Sequence, residues 1–324
     1  MIVPSHWAEA KERVVIDGQA RTYRRFGWSN DSEADALERA RERVEDAAER
    51  ATRGEKVRLI DRKVPYNGAE GLPIREEVIA RHGDTVITRN SYGALCLNTP
   101  DVLFADVDFT PPSYAAYGWM VFFVIVGTGV ALTMSGWGVT AISIAFLVAA
   151  ILAAPIGKLI GRLVSSASRD PVAVSMQRIE AFADKHPSWS LRVYRTPNGL
   201  RILAMHAVFD PVGDDALAFL RAVGSDKNYV RMCRNQRCFR ARVSPKPWRI
   251  DIAHIKPRPG VWPIRPERMA ERESWVDDYE RKSRDYASCR YVSTVGMSHS
   301  DRRCEDVCRL HDELCRSDRD LPLA

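Results

Sequence analysis

The chain has 324 residues, with 48 Lys+Arg against 42 Asp+Glu and a formal net charge of +6. Seven cysteines, an odd number without secreted-domain spacing, exclude a disulfide scaffold and fit reduced thiols in a cytosol. The hydrophobic fraction of 45% is ordinary for a globular protein, but its apolar residues are concentrated in one place.

Residues 1–18 hold His6, Glu9, Lys11, Glu12 and Arg13 and lack the apolar run of a signal peptide. Asn30-Asp31-Ser32 opens a helix, with Ser32 and Asp35 resembling a capping box and Gly54 closing it. Ala34, Leu37, Ala40, Val44, Ala47 and Ala51 form its weakly apolar stripe. Three short strands are expected at 85–88, 94–97 and 102–109, the first two joined through Asn90-Ser91-Tyr92-Gly93. The third ends at Thr110-Pro111-Pro112.

Residues 115–157 carry no charged side chain. As a helix this run would be about 64 Å long at ~1.5 Å per residue, twice a bilayer core of roughly 30 Å. Ser135-Gly136-Trp137-Gly138 breaks it, giving spans near 117–134 and 139–159. Tyr114, Tyr117 and Trp119 mark one interface and Trp137 the other. Lys158, Arg162 and Arg169 follow the second span, so the turn is expected outside and both termini in the cytoplasm, at an inner or plasma membrane. The absence of charge within the run argues for an anchor rather than an ion path. Gly127, Ala131, Ala149, Ala150, Ala153 and Ala154 offer small surfaces suited to a homodimer.

Beyond the hairpin, a helix is expected at 171–186, a strand at 191–194, a turn at Thr196-Pro197-Asn198-Gly199 and a returning strand at 200–206. A helix at 214–223, a strand at 238–243, a proline-rich stretch and helices at 274–295 and 301–317 complete the chain. The expected organisation is an α/β or α+β cytosolic domain interrupted by a two-helix transmembrane hairpin. Its parts are 1–112, the hairpin at 113–163, a second α/β part at 164–260 and a C-terminal helical region at 261–324.

Charge is uneven about the hairpin, with a net of −3 over residues 1–114 and +9 over 158–324. The basic half suits an anionic partner: lipid, nucleotide or nucleic acid, or the acidic first half itself. Asp106 and Asp108, two apart on one strand, project from one face. Such carboxylates repel unless a cation lies between them or they face water. As metal ligands they suit Mg²⁺ or Mn²⁺, the ions of phosphoryl and nucleotidyl transfer. The turn at 196–199 brings Arg195 and Arg201 together, with His206 beyond, as phosphate ligands or simply as parts of a hairpin. Between Arg221 and Arg258 lie eleven basic residues and two acidic ones, with Arg231, Arg234, Arg237, Arg240, Arg242, Lys246 and Arg249 interleaved with Tyr229, Phe239 and Trp248. This pattern suits nucleotides, an anionic membrane surface or pairing with acids of the first half. Cys304, Cys308, His311 and Cys315 share one helix face with Val307, Leu310 and Leu314; one straight helix rarely wraps a metal, so this face is expected to be core.

The Asp106-x-Asp108 strand, the Thr196-Pro197-Asn198-Gly199 turn and the basic part that follows resemble the archaeo-eukaryotic primase and primase-polymerase superfamily over residues 85–109 and 172–250. The resemblance implies a metal-dependent nucleotidyl transferase with catalytic metal on the paired acids. The chain departs from that pattern in three ways. Leu200-Arg201 stands where the Ser-x-His motif would lie, Asp226 and Asp251 compete as the third acid, and a membrane hairpin separates the motifs. Asp-x-Asp is also similar to the metal motif of membrane-associated glycosyltransferases, but the nucleotide-binding first strand of that pattern is not apparent.

Overall fold

A computed structural model describes the chain apart from residues 62, 65–67, 70–72, 110–113 and 168–169, and only the backbone at 63–64, 68–69 and 165–167. Thr110-Pro111-Pro112 and Arg169 therefore lie outside the described residues. The chain forms two compact units: residues 109–174, and the segments before and after them folded together.

The larger unit opens with strands β1 (His6–Ile16) and β2 (Gln19–Ser29), an antiparallel hairpin. Sequence reading missed both strands. Their turn is Asp17-Gly18, both at positive φ, a pair that matches the right-handed twist of the strands it joins. Helix α1 (Glu33–Thr52) packs on this hairpin. Ser32 caps it by accepting from the Asp35 amide at 3.1 Å. The buried stripe is Ala36, Ala40, Val44, Ala47, Ala48 and Ala51, whereas Ala34 is exposed. Small residues are required because β2 passes so close: a Cβ on Gly27 would lie 2.1 Å from the Ala36 carbonyl oxygen.

Two-residue strands β3 (Lys63–Val64) and β4 (Gly68–Ala69) pair with each other. Next come β5 (Glu77–His82), β6 (Thr85–Arg89), β7 (Leu95–Thr99) and β8 (Phe104–Asp108). The β6–β7 hairpin holds as expected, closed by Asn90, whose Oδ1 accepts from the amides of Tyr92, Gly93 and Ala94 at 3.1–3.2 Å. Strand β8 leaves that sheet for a second one.

The smaller unit is helix α2 (Tyr114–Leu132), a wider turn at Thr133–Trp137, and helix α3 (Thr140–Ala167). Gly136 and Gly138 take positive φ at the break. Both helices are long and apolar enough to cross a membrane. Their large side chains, among them Phe123, Val124, Phe146, Leu147 and Ile151, are mostly exposed. A seam of small residues joins them: a Cβ on Gly157 would meet the Gly118 backbone at 2.4 Å, and one on Gly129 would meet Ala145. Ala149 and Ala153 are buried in this seam, while Gly127, Ala131, Ala150 and Ala154 face outward. Helix α3 runs past the expected end at 159 and carries Lys158 and Arg162.

Helix α4 (Pro171–Lys185), β9 (Ser190–Thr196), β10 (Gly199–Ala204), α5 (Asp214–Ala222), α6 (Lys227–Gln236), β11 (Phe239–Arg242), α7 (Met269–Ser283), β12 (Arg290–Gly296) and α8 (Arg302–Cys315) complete the chain. The expected helix at 274–295 is wrong in its second half. Helix α7 stops at Ser283, and Tyr291-Val292-Ser293-Thr294-Val295, rich in β-branched residues, pairs with β9. The stretch 261–324 is thus not a separate helical region. All pairings in the two larger sheets, β12-β9-β10-β8 and β11-β7-β6-β5, are antiparallel.

Candidate anion-binding cavity

Five strands, two turns and the helix at Lys227–Gln236 of the larger unit line one cavity of about 370 Å³. Asp106 and Asp108 enter it from β8, Arg201 from β10, Arg240 and Arg242 from β11, and Cys96 from β7. Asn90, Ser91 and Tyr92 come from the β6–β7 turn, Asn198 from the β9–β10 turn, and Lys246 and Arg249 from the chain after β11. The two-residue spacings carry this convergence. Asp106 and Asp108, and likewise Arg240 and Arg242, each share a strand face.

The β9–β10 turn has Pro197 and Asn198 at its centre, and neither Asn198 nor Gly199 takes positive φ. Gly199 is needed instead for close approach, since a Cβ there would lie 1.9 Å from the Val107 carbonyl oxygen. That contact sets β10 on β8 with Arg201 directly opposite Asp106. Arg201 donates from Nε to Asp106 Oδ1 at 2.8 Å and from Nη2 to Oδ2 at 3.2 Å. Both Asp106 oxygens therefore accept from the guanidinium. Arg201 Nη1 donates to the Arg242 carbonyl at 2.8 Å.

Arg240 is buried and donates from Nη2 to both oxygens of Glu76 at 2.6 Å. Glu76 also accepts from Thr88. The Nη1 of Arg240 and the Nη1 of Arg249 are buried without a hydrogen-bond partner among the described residues. The Cys96 sulfur lies beside Arg240. Arg242, Lys246 and Arg249 form no ion pair with the described residues. Arg242 donates to the Ser244 carbonyl, and the Lys246 ammonium lies 5.4 Å from the Trp248 ring centre.

These cations crowd one another. Burial, then Arg242 and Arg249, push the Lys246 ammonium below the usual lysine range. Burial, then Arg242, lower Arg249. Asp108 moves the other way: partial burial and the carboxylates of Asp106 and Asp226 raise its carboxyl. Tyr92, largely enclosed, is pushed up to about 12 chiefly by burial and stays a neutral phenol. The lining is therefore two ion pairs, Arg201 with Asp106 and Arg240 with Glu76, beside three mutually repelling cations and one acid. Such a set accepts an anion, offering several N–H donors to its oxygens.

Of the residues expected at a site, Asp106, Asp108, Arg201 and Arg240 meet here. The others are elsewhere. Arg195 donates to the carbonyls of Thr196 and Gly199, both at 2.6 Å, and so ties the turn. His206 packs on Trp189, accepts from the Ser190 amide, and is lowered by burial. Arg234 and Arg237 are exposed on and just after α6, with Arg237 at positive φ as its C-cap. Asp226, one of the two third-acid candidates, caps α6 by accepting from Tyr229 and lies near enough to raise Asp108. Arg242, Lys246 and Arg249, of the same basic cluster as Arg240, line the cavity too, and Tyr92 and Asn198, expected only as turn residues, complete it.

On α8, Cys304, Cys308, His311 and Cys315 are buried as expected. Cys304 donates to the Ala207 carbonyl, and Cys308 lies 3.5 Å from the Tyr194 hydroxyl. Cys289, at the entry to β12, joins His311 and Cys315. No protein-family model, curated protein or solved structure matches this chain.

Proposed function

We propose that this protein is anchored in a membrane by its helical hairpin and that its α/β unit binds a small phosphate-bearing ligand, of the nucleotide class, in the cavity between β8, β10 and β11. The carrying observation is the convergence of Arg242, Lys246 and Arg249 with the unpartnered Nη1 atoms of Arg240 and Arg249. A phosphate supplies the missing acceptors and relieves the mutual repulsion of the cations. Asp108, half in the cavity's field and free of an ion pair among the described residues, is placed to accept from a hydroxyl or amino group of the same ligand. The volume of about 370 Å³ suits one small molecule. Calorimetric titration of the detergent-solubilised chain with pyrophosphate and with a nucleoside monophosphate tests this. Saturable binding that an Arg242→Ala, Arg249→Ala variant loses supports it, and equal heats from both proteins contradict it.

The anchor reading rests on two helices long and apolar enough to cross a membrane, whose large apolar side chains are mostly exposed and suit lipid. Lys158 and Arg162 near the end of α3, with an uncharged turn at the other end, favour cytoplasmic termini. Retention in the membrane pellet after alkaline carbonate extraction is expected, and release into the supernatant would contradict it.

A second reading is favoured by the proximity of Asp106, Asp108 and Asp226. Here Mg²⁺ or Mn²⁺ held by Asp106 and Asp108 activates the phosphate for nucleotidyl or phosphoryl transfer, as the primase-like resemblance implies. It requires Asp106 to share its oxygens between Arg201 and the ion. Mn²⁺ titration beside an Asp106→Asn, Asp108→Asn variant decides it: a saturable site lost in the variant supports transfer chemistry, and identical titrations leave binding alone.

A further inference from the structure

We infer that Cys289, His311 and Cys315 form a binding site for one thiophilic divalent metal ion, of which zinc is the natural occupant. The donor atoms come from two elements. Cys289 stands at the entry to β12, and His311 and Cys315 lie one turn apart on α8. The Ser288 amide donates to the Cys315 carbonyl at 3.0 Å, which fixes the two segments side by side.

The two spacings from the imidazole to the sulfurs are close to those of a coordination tetrahedron. Zinc lies ~2.3 Å from a thiolate and ~2.0–2.1 Å from an imidazole nitrogen, so two such ligands stand about 3.6 Å apart and two thiolates about 3.8 Å apart. Here Cys315 Sγ lies 3.4 Å and Cys289 Sγ 3.9 Å from His311 Nε2, and all three donors fall within 4.8 Å of one another. The imidazole is already aimed. His311 Nδ1 bonds Asp312 Oδ1 at 2.9 Å, leaving Nε2 to face the two sulfurs. A carboxylate behind a ligating histidine fixes its tautomer and raises its basicity. All three residues are buried, so the thiols and imidazole line no solvent-filled space.

One neighbour opposes a cation: Arg201 Nη1 lies 3.3 Å from His311 Nε2. Two thiolates neutralise a dication, and the charge of Arg201 is answered by its two bonds to Asp106. Metal binding releases one proton from each thiol, with no oxidant or reductant involved. Because Arg201 touches both His311 and Asp106, an ion here would brace the wall of the cavity, but the site stands without that cavity's function.

The test uses the full chain in detergent, stripped with a chelator under reducing, anaerobic conditions and titrated with Co²⁺. One equivalent per chain is expected, with an intense thiolate-to-cobalt charge-transfer band, displaced by equimolar Zn²⁺. Cys289→Ser should abolish the band, and Cys304→Ser, outside the cluster, should leave it. Should Cys289→Ser fail to fold, X-ray absorption on the zinc-loaded wild type decides: about two sulfurs near 2.3 Å per zinc are expected. The absence of a thiolate–metal band in folded wild-type protein, or a band that Cys289→Ser leaves unchanged, would overturn the inference.

Discussion

The buried and the half-buried charges of the cavity differ in one respect that organises the rest. Arg201 and Arg240 are buried, and each meets a carboxylate through two hydrogen bonds. Arg242, Lys246 and Arg249 are half-buried, crowd one another, and meet no carboxylate among the described residues. A charge buried without a partner would cost several kcal/mol, so the first two are held by the fold itself. The other three keep enough contact with water to survive unpaired, and that leaves them available to a ligand. The comparison separates arginines that build the wall from cations that use it.

The largest effect should come from breaking a wall pair. Glu76→Ala leaves Arg240 charged, buried and unanswered, and is expected to destabilise the larger unit by about 3–5 kcal/mol in denaturant titration. A change under about 1 kcal/mol would mean that the pair is dispensable and the distinction fails.

Removing the other class should do the reverse. Arg242→Ala with Arg249→Ala takes away like-charge repulsion, so the melting temperature should hold or rise. Charge-assisted hydrogen bonds contribute about 1.5–3 kcal/mol each, so pyrophosphate affinity should fall on the order of a hundredfold.

A smaller effect concerns pH. The Lys246 ammonium sits below its ordinary range, so it loses its proton at a lower pH than a free lysine. Anion affinity should therefore decline on the alkaline side before ordinary lysines titrate, and Lys246→Arg should move that decline upward. A bound anion pulls the lysine value back, so the decline should shift with ligand concentration.

The smallest is Asp108. Its carboxyl is raised in the folded chain by burial and by Asp106 and Asp226, so ionising it opposes folding. The stability linked to its protonated form is present at low pH and is lost as pH rises through the raised value. Asp108→Asn should therefore melt slightly higher than wild type at neutral pH, with the difference closing as pH falls below the ordinary aspartate range. A gain that persists unchanged in acid would place its origin outside this carboxyl.

Much of this arrangement is legible in the sequence, and the parts that are not fail for physical reasons. The helical hairpin announces itself because no charge interrupts residues 115–157 and two glycines mark its turn. The face-sharing of Asp106 with Asp108, and of Arg240 with Arg242, follows from strand periodicity alone. What periodicity does not supply is the strand opposite. Asp106 reads as a metal ligand until Arg201 is seen across the ladder from it. The β1–β2 hairpin was missed because Glu9, Lys11, Glu12 and Arg13 blur its alternation, although Asp17-Gly18 is a strong turn signal. Extending α7 through Val295 hid a second fact. On a continuous helix Cys289 belongs to another face, whereas at the entry to β12 it lies against His311 and Cys315. The row Cys304, Cys308, His311 and Cys315 is buried as expected, and the misplaced helix end concealed only that Cys289 joins it.

The account turns on the half-buried cations, and the measurement that reaches them most directly is calorimetric titration of pyrophosphate into the full-length protein in detergent, beside the Arg242→Ala, Arg249→Ala variant. One saturable site per chain in the wild type, weakened on the order of a hundredfold in a variant that melts no lower, is the predicted result. Absence of saturable binding in the wild type, or binding that the double substitution leaves unchanged, would contradict it.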